Sequence, residues 1–194
     1  MARSEGARGW RRPRVSSFEP LRQAASRFCP PYEVEWEQRS ALRITLQDPG
    51  GTRPNITLRH RYERRLFLKA SYLRIESWVP GLGPSVEGEL AFKFRGWFNR
   101  QRTTLRWKEP VSGGEDWLRR LEEPLRAAVG QVEAVQSLGI RWSPKRRAWR
   151  VRLETMSGSM MSGITSFLPI AVPFDQGEAE GIIAMIDALA ATGS

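Results

Sequence analysis

Between residues 32 and 107 the apolar side chains recur at every second position, and that period constrains the fold more than any other feature of the chain. Tyr32, Val34 and Trp36 alternate with Glu33, Glu35 and Glu37. Leu42, Ile44 and Leu46 come next, followed by the turn-rich stretch DPGGTRPN. Ile56, Leu58, His60 and Tyr62 alternate with Thr57, Arg59, Arg61 and Glu63, and a further pair of strands is expected within Leu66 to Val79. Leu90, Phe92 and Phe94 form another apolar row, as do Thr103, Leu105 and Trp107. A period of two sends successive side chains to opposite sides of an extended chain. These segments therefore read as half-buried strands, and the short breaks between them make an antiparallel meander with one dry face and one wet face.

Three stretches change to a helical period. Leu21, Ala24, Ala25 and Phe28 predict a helix from residue 18 or 19 to 28, with Ser17 as its cap, Pro20 in the first turn and Pro30 and Pro31 as the stop. A longer helix is expected from about Ser112, where Ser112 and Glu115 have capping-box spacing and Trp117, Leu118, Leu121, Leu125 and Val129 form the stripe; Pro124 should kink or divide it. The last helix runs from about Asp175 to Ala191, with Asp175 and Glu178 as a capping box and Ile182, Ile183, Ile186 and Leu189 facing inward. Two strands, 138–142 and 149–153, lie between the second and third helices, joined by the basic turn 143–147. The whole predicts an α+β fold: an antiparallel, meander-rich sheet of about 8–10 strands with about three helices packed on one face. Residues 1–17 read as a disordered basic arm and 18–194 as a single domain, with a faint helix-hairpin likeness between 18–109 and 110–194.

Composition narrows the chemistry. Eight Trp and eight Phe need a dry interior, which excludes global disorder. Cys29 is the sole cysteine and His60 the sole histidine, so neither a disulfide framework nor a multi-histidine or cysteine-rich metal site is available. No cofactor is expected: Walker, G-x-G-x-x-G and G-x-S-x-G patterns are all missing. The basic N-terminus is followed by no apolar leader, and a reducing cytoplasm is the expected compartment.

The net charge of +10 is segregated along the chain. Residues 137–153 carry six basic and no acidic side chains, whereas 154–194 carry five acidic and no basic ones. The dominance of Arg over Lys fits a GC-rich coding bias; the excess of basic over acidic residues does not follow from such a bias. Segregated charge of one sign suits a nucleic acid or another polyanion as partner, and equally an anionic membrane surface or an acidic protein.

The stretch KFRGWFNRQRTTLRWK, residues 93–108, is the richest candidate site. Lys93, Arg95, Arg102 and Arg106 alternate with apolar residues, and the loop between them carries Trp97, Phe98 and Arg100. Aromatic rings stack on bases while guanidinium groups meet phosphates, so this mixture suits single-stranded nucleic acid; Arg150 and Arg152 could extend the surface. A second candidate is the uncharged stretch 155–174, read as a pliable loop holding Met156, Met160 and Met161 and then a buried strand 164–168. Unbranched thioethers adapt to partners or acyl chains, as an adaptor or lipid-contacting protein would need. A third reading places enzymatic chemistry on Glu33, Glu35 and His60, since alternate carboxylates on a strand stand about 6 to 7 Å apart. Alternate carboxylates more commonly form a solvated strand face. Cys29, at a helix C-terminus, has the wrong dipole sign for a reactive thiolate and reads as packing.

Overall fold

The alternating segments pair into one antiparallel sheet that leaves three helices on its apolar side. The structure is a computed structural model and describes residues 18–65, 68–93, 104–132, 135–163 and 170–193. In chain order the elements are α1 (Glu19–Ser26), β1 (Glu33–Gln38), β2 (Arg43–Gln47), β3 (Ile56–Arg65), β4 (Leu68–Pro80), β5 (Gly88–Lys93), β6 (Thr104–Trp107), α2 (Gly114–Gln131), β7 (Val135–Ser143), β8 (Ala148–Gly163), β9 (Ile170–Ala171) and α3 (Gln176–Ala190). The class is α+β. Eight strands run in the order β1-β2-β3-β4-β8-β7-β5-β6, and β9 pairs with β8 to make nine.

The order departs from a simple meander after β4. Residues 68–80 form one long strand rather than the expected pair, because β8 offers a partner along its whole length, from Leu68 opposite Gly163 to Pro80 opposite Ala148. The β7–β8 hairpin therefore takes the place beside β4, and the shorter β5–β6 hairpin is displaced to the far side of β7.

Period-two parity fixes the dry face. Ile44, Leu46, Ile56, Leu58, Leu73, Ile75, Val79, Leu90, Ile140, Trp149, Val151 and Leu153 all point inward, and each is at most 1% exposed. Each such side chain stabilises by about 1.5 to 3 kcal/mol through removal of apolar surface from water. They join Leu21, Ala24 and Ala25 of α1, Leu121, Leu125 and Val129 of α2 and Ile182, Ile186 and Leu189 of α3 in a single core cluster. Trp149 sits at its centre, beside Trp107 and Trp142, and donates its Nε1–H to the Leu82 carbonyl at 2.9 Å.

Several local expectations need correction. Val34 and Trp36 are 45% and 46% exposed: a register shift between them sets Trp36 opposite outward-facing Thr45, while Val34, opposite inward-facing Leu46, lies on the edge strand of the sheet. The same shift separates the three glutamates: Glu33 stands opposite Gln47, Glu35 accepts from Asn55 Nδ2 at 3.2 Å, and Glu37 stands opposite inward-facing Ile44 and pairs with Arg22 of α1 at 3.1 Å. Helix α2 starts at Gly114 with Gly113 as its N-cap in the left-handed region (φ 68°) and no side-chain cap, so the Ser112–Glu115 box does not form. Pro124 lies within a single uninterrupted α2, on its exposed side, where the carbonyl it leaves without an N–H faces water. The Asp175–Glu178 box of α3 does form, in both directions. The basic arm 1–17 with its Ser17 cap, Phe94 and Thr103, and the strand expected at 164–168 lie outside the described residues.

The largest correction concerns the supposed loop at 155–163. These residues are the distal part of β8, and the small residue at 158 follows from close packing rather than pliability. Four of them, 156–159, stand opposite Tyr72 alone, so β8 bulges there, and Gly158 takes a φ of +71°. A Cβ at Gly158 would stand 2.8 Å from Leu73 and 3.5 Å from Ala24 of α1. The bulge is tied down from both sides: Gly158 N–H donates to the Val172 carbonyl at 2.8 Å, and the Gly158 carbonyl lies 3.0 Å from Nε2 of buried His60. A carbonyl only accepts, so Nε2 carries the proton and His60 serves as a buried strut.

Candidate polyanion-binding face

The side chains that parity turns away from the core form a face that none of the three described helices covers, and cross-strand register arranges them in rows. One row reads Gln38, Arg43, Arg59, Arg74, Glu154 and Ser137 across β1, β2, β3, β4, β8 and β7. The next reads Trp36, Thr45, Thr57, Glu76, Arg152, Gly139, Ala91 and Arg106, from one edge of the sheet to the other. A third holds Trp78, Arg150, Arg141 and Glu89. Directly opposed like charges destabilise a sheet, yet Arg43, Arg59 and Arg74 are consecutive neighbours, as are Arg141 and Arg150.

Two carboxylates hold the centre together. Glu154 accepts from Arg74 Nε at 2.7 Å and Arg61 Nη1 at 3.1 Å, is also bonded by Arg74 Nη2, and has Arg152 Nη2 at 3.9 Å. Both side chains of the Glu154–Arg74 pair are only 10% exposed. Burial acts to raise the Glu154 carboxyl; the bond from Arg74 and the charges of Arg74, Arg61 and Arg152 outweigh it and hold the group below the usual carboxylate range. Glu76 is served differently. Its Oε1 accepts from Arg59 Nη2 at 2.8 Å, while Arg152 Nε and Arg150 Nη2 stand off at 3.5 and 3.7 Å.

Two exposed indoles complete the face. Trp36 lies under Arg43 at 5.8 Å, and Trp78 has Arg146 at 4.4 Å and Arg150 at 5.6 Å from its ring centre. A wall of guanidinium groups with flat rings at its margins can hold phosphates and stack bases.

Of the residues the sequence suggested, the structure places Arg106, Arg150 and Arg152 on this face. Arg106 shares a row with Arg152 at three strand spacings, roughly 14 Å, with only Gly139 and Ala91 between. Lys93 is the last residue of β5, opposite Thr104. Arg95, Trp97, Phe98, Arg100 and Arg102 lie outside the described residues. Sequence reasoning missed Arg43, Arg59, Arg61, Arg74, Trp36 and Trp78. The alternation already turned Arg59 and Arg61 outward; what it lacked was the strand order that sets β3 and β4 beside β8.

The other candidates are not assembled. Met156 is half-buried in β8, and Met160 and Met161 are strand residues opposite Ser71 and Ala70 on one side and Ala171 and Ile170 on the other. Glu33 and Glu35 lie at the far end of the β1–β2–β3 ladder from His60, which points into the core. The Cys29 thiol is pushed up by burial and by the charge of Glu33. Among the described residues no group of three or more His, Cys, Asp or Glu could hold a metal ion, and no helix is long and apolar enough to cross a membrane.

Fold and face together define an α+β protein built on one antiparallel sheet, with the described helices on one side and an arginine-rich surface on the other. The chain belongs to the family described as "Protein of unknown function (DUF3156)", which matches residues 29–192 and so takes in the entire sheet, α2 and α3. No curated protein and no solved structure matches it.

Proposed function

We propose that the protein binds single-stranded nucleic acid, with little sequence preference, through the sheet face opposite its described helices. The observation that carries this reading is the register itself, which sets Arg43, Arg59 and Arg74 side by side on three adjacent strands and Arg150 beside Arg141 on the next two, on the sheet face opposite the described helices. Their mutual repulsion is relieved by an external polyanion, and Trp36 and Trp78 give bases something to stack on. Such a ligand suits the cytoplasmic compartment expected from the sequence.

Fluorescence anisotropy with a labelled single-stranded oligonucleotide tests the proposal. With about five phosphates neutralised, log K falls with log salt at a slope near −3.5. A flat salt response, or no binding to any single strand at about 50 mM salt, overturns it.

A further inference from the structure

We infer that Arg59, Arg150 and Arg152 form a discrete phosphate site, occupied in the free protein by the carboxylate of Glu76, which a backbone phosphate of the bound strand replaces. The inference rests on the nucleic-acid reading above and names where on the face the strand is held.

The two central carboxylates differ in how well they are used. Glu154 takes three close bonds from Arg74 and Arg61 and is enclosed with Arg74, so it belongs to the sheet's own structure. Glu76 offers one oxygen to three guanidinium groups and reaches only Arg59 at hydrogen-bond length; Arg150 and Arg152, at 3.7 and 3.5 Å, are attracted without being bonded. Moreover, Arg59 Nε and Arg150 Nε are buried without a hydrogen-bond partner among the described residues. Buried donors left unmade are costly, and guanidinium forks are shaped for the paired oxygens of a phosphate. Turning Arg59 and Arg150 toward such a group brings both Nε atoms into use. Arg150 is already held by the indole of Trp78, which is 38% exposed and stands opposite it, where the adjoining base can stack. Glu76 is thus a resident stand-in for the phosphate, and its charge opposes binding.

The test is Glu76→Gln, which keeps an acceptor for Arg59 and removes the charge. Glu89→Gln serves as control, since it changes net charge equally on the same face but loses a partner of Lys108, 2.5 Å away, rather than of the three arginines. A labelled single-stranded oligonucleotide is titrated against full-length protein at about 50 mM salt. E76Q is expected to bind about three- to tenfold tighter than the parent and E89Q less than about twofold. Adding Arg59→Gln to E76Q should remove the gain. If the parent binds with the steep salt slope and E76Q binds no tighter, or E89Q gains as much, the phosphate site is wrong and the nucleic-acid reading stands. If neither parent nor E76Q binds any single strand, both fall. If E76Q gains only on phosphatidylserine vesicles, the phosphate belongs to a lipid and the inference as stated is overturned. Should E76Q not fold, Arg150→Gln in the parent decides: a loss of about fivefold, against less than twofold for Arg126→Gln on α2, supports the site, and equal losses refute it.

Discussion

Strand β8 shows both faces of the sheet within six residues. Trp149, Val151 and Leu153 are at most 1% exposed, whereas Arg150 and Arg152, between them, keep 38% and 43% of their side chains in water. The backbone is the same; only the direction of the side chain differs. Burial of the first set is what fixes the register, since a slip by one residue would put all three in water and bury the arginines. The second set inherits that register without contributing to it. Arginines of neighbouring strands are therefore held opposite one another despite their repulsion, by a core that their own charges do not govern.

Trp149→Ala is the largest expected break of this contrast. It removes a fully buried ring, its contacts with Trp107 and Trp142 and its bond to the Leu82 carbonyl, and should cost about 3 to 5 kcal/mol in denaturant unfolding. Arg150→Ala, one residue along, should change stability by less than about 0.5 kcal/mol while weakening oligonucleotide binding. Similar losses from both would mean that the polar face helps to specify the fold.

The same distinction explains what the sequence disclosed. Wherever a strand is buried on one side, as at Ile44, Leu46 and Ile56, Leu58, period two told inside from outside, and the Asp175–Glu178 pair marked the start of α3 because a capping box is a wholly local device. The failures are tertiary. Residues 155–163 look like a loop by composition, because Gly and Ser signal either a turn or a place where another element comes close, and only the approach of α1 decides between them. The exposure of Trp36 depends on one extra residue in an edge strand, and that of Val34 on the strand lying at the edge; neither leaves a local mark. Half of the candidate face was in plain view, as alternate arginines. The other half depended on β8 lying against β4, a pairing across some eighty residues that short-range pattern cannot express.

Glu154 sharpens the contrast, because it belongs to the polar face by parity and to the interior by burial. Glu154→Ala leaves the Arg74 guanidinium enclosed with no carboxylate and should cost about 3 kcal/mol. Combining it with Arg74→Leu should recover much of that loss, as replacement of a buried pair by apolar groups commonly does; denaturant midpoints of the two single variants and the double variant measure the coupling. Additive losses would show that the pair is not the unit that matters.

Acid provides the smallest and most selective probe. The Glu154 carboxyl is held below its ordinary value in the folded protein, so its stabilisation is complete above the unfolded value of about 4.3 and is lost as pH falls through the folded one. Asp48 is held low as well: bonds from the Thr52 hydroxyl and from the backbone of Arg53, Gly50 and Thr52 bring it to about 2, so it also contributes to acid unfolding. Its side chain lies in the β2–β3 turn, away from the arginine rows, and the two contributions are separable by substitution. Stability measured against pH should fall less steeply below about 4.3 in Glu154→Gln than in the parent, and Asp48→Asn should remove the part of the slope that lies between the unfolded aspartate value of about 3.9 and about 2. If Glu154→Gln keeps the parent's full acid slope, the carboxylate's charge is not what holds the arginines, and the distinction drawn between Glu154 and Glu76 fails with it.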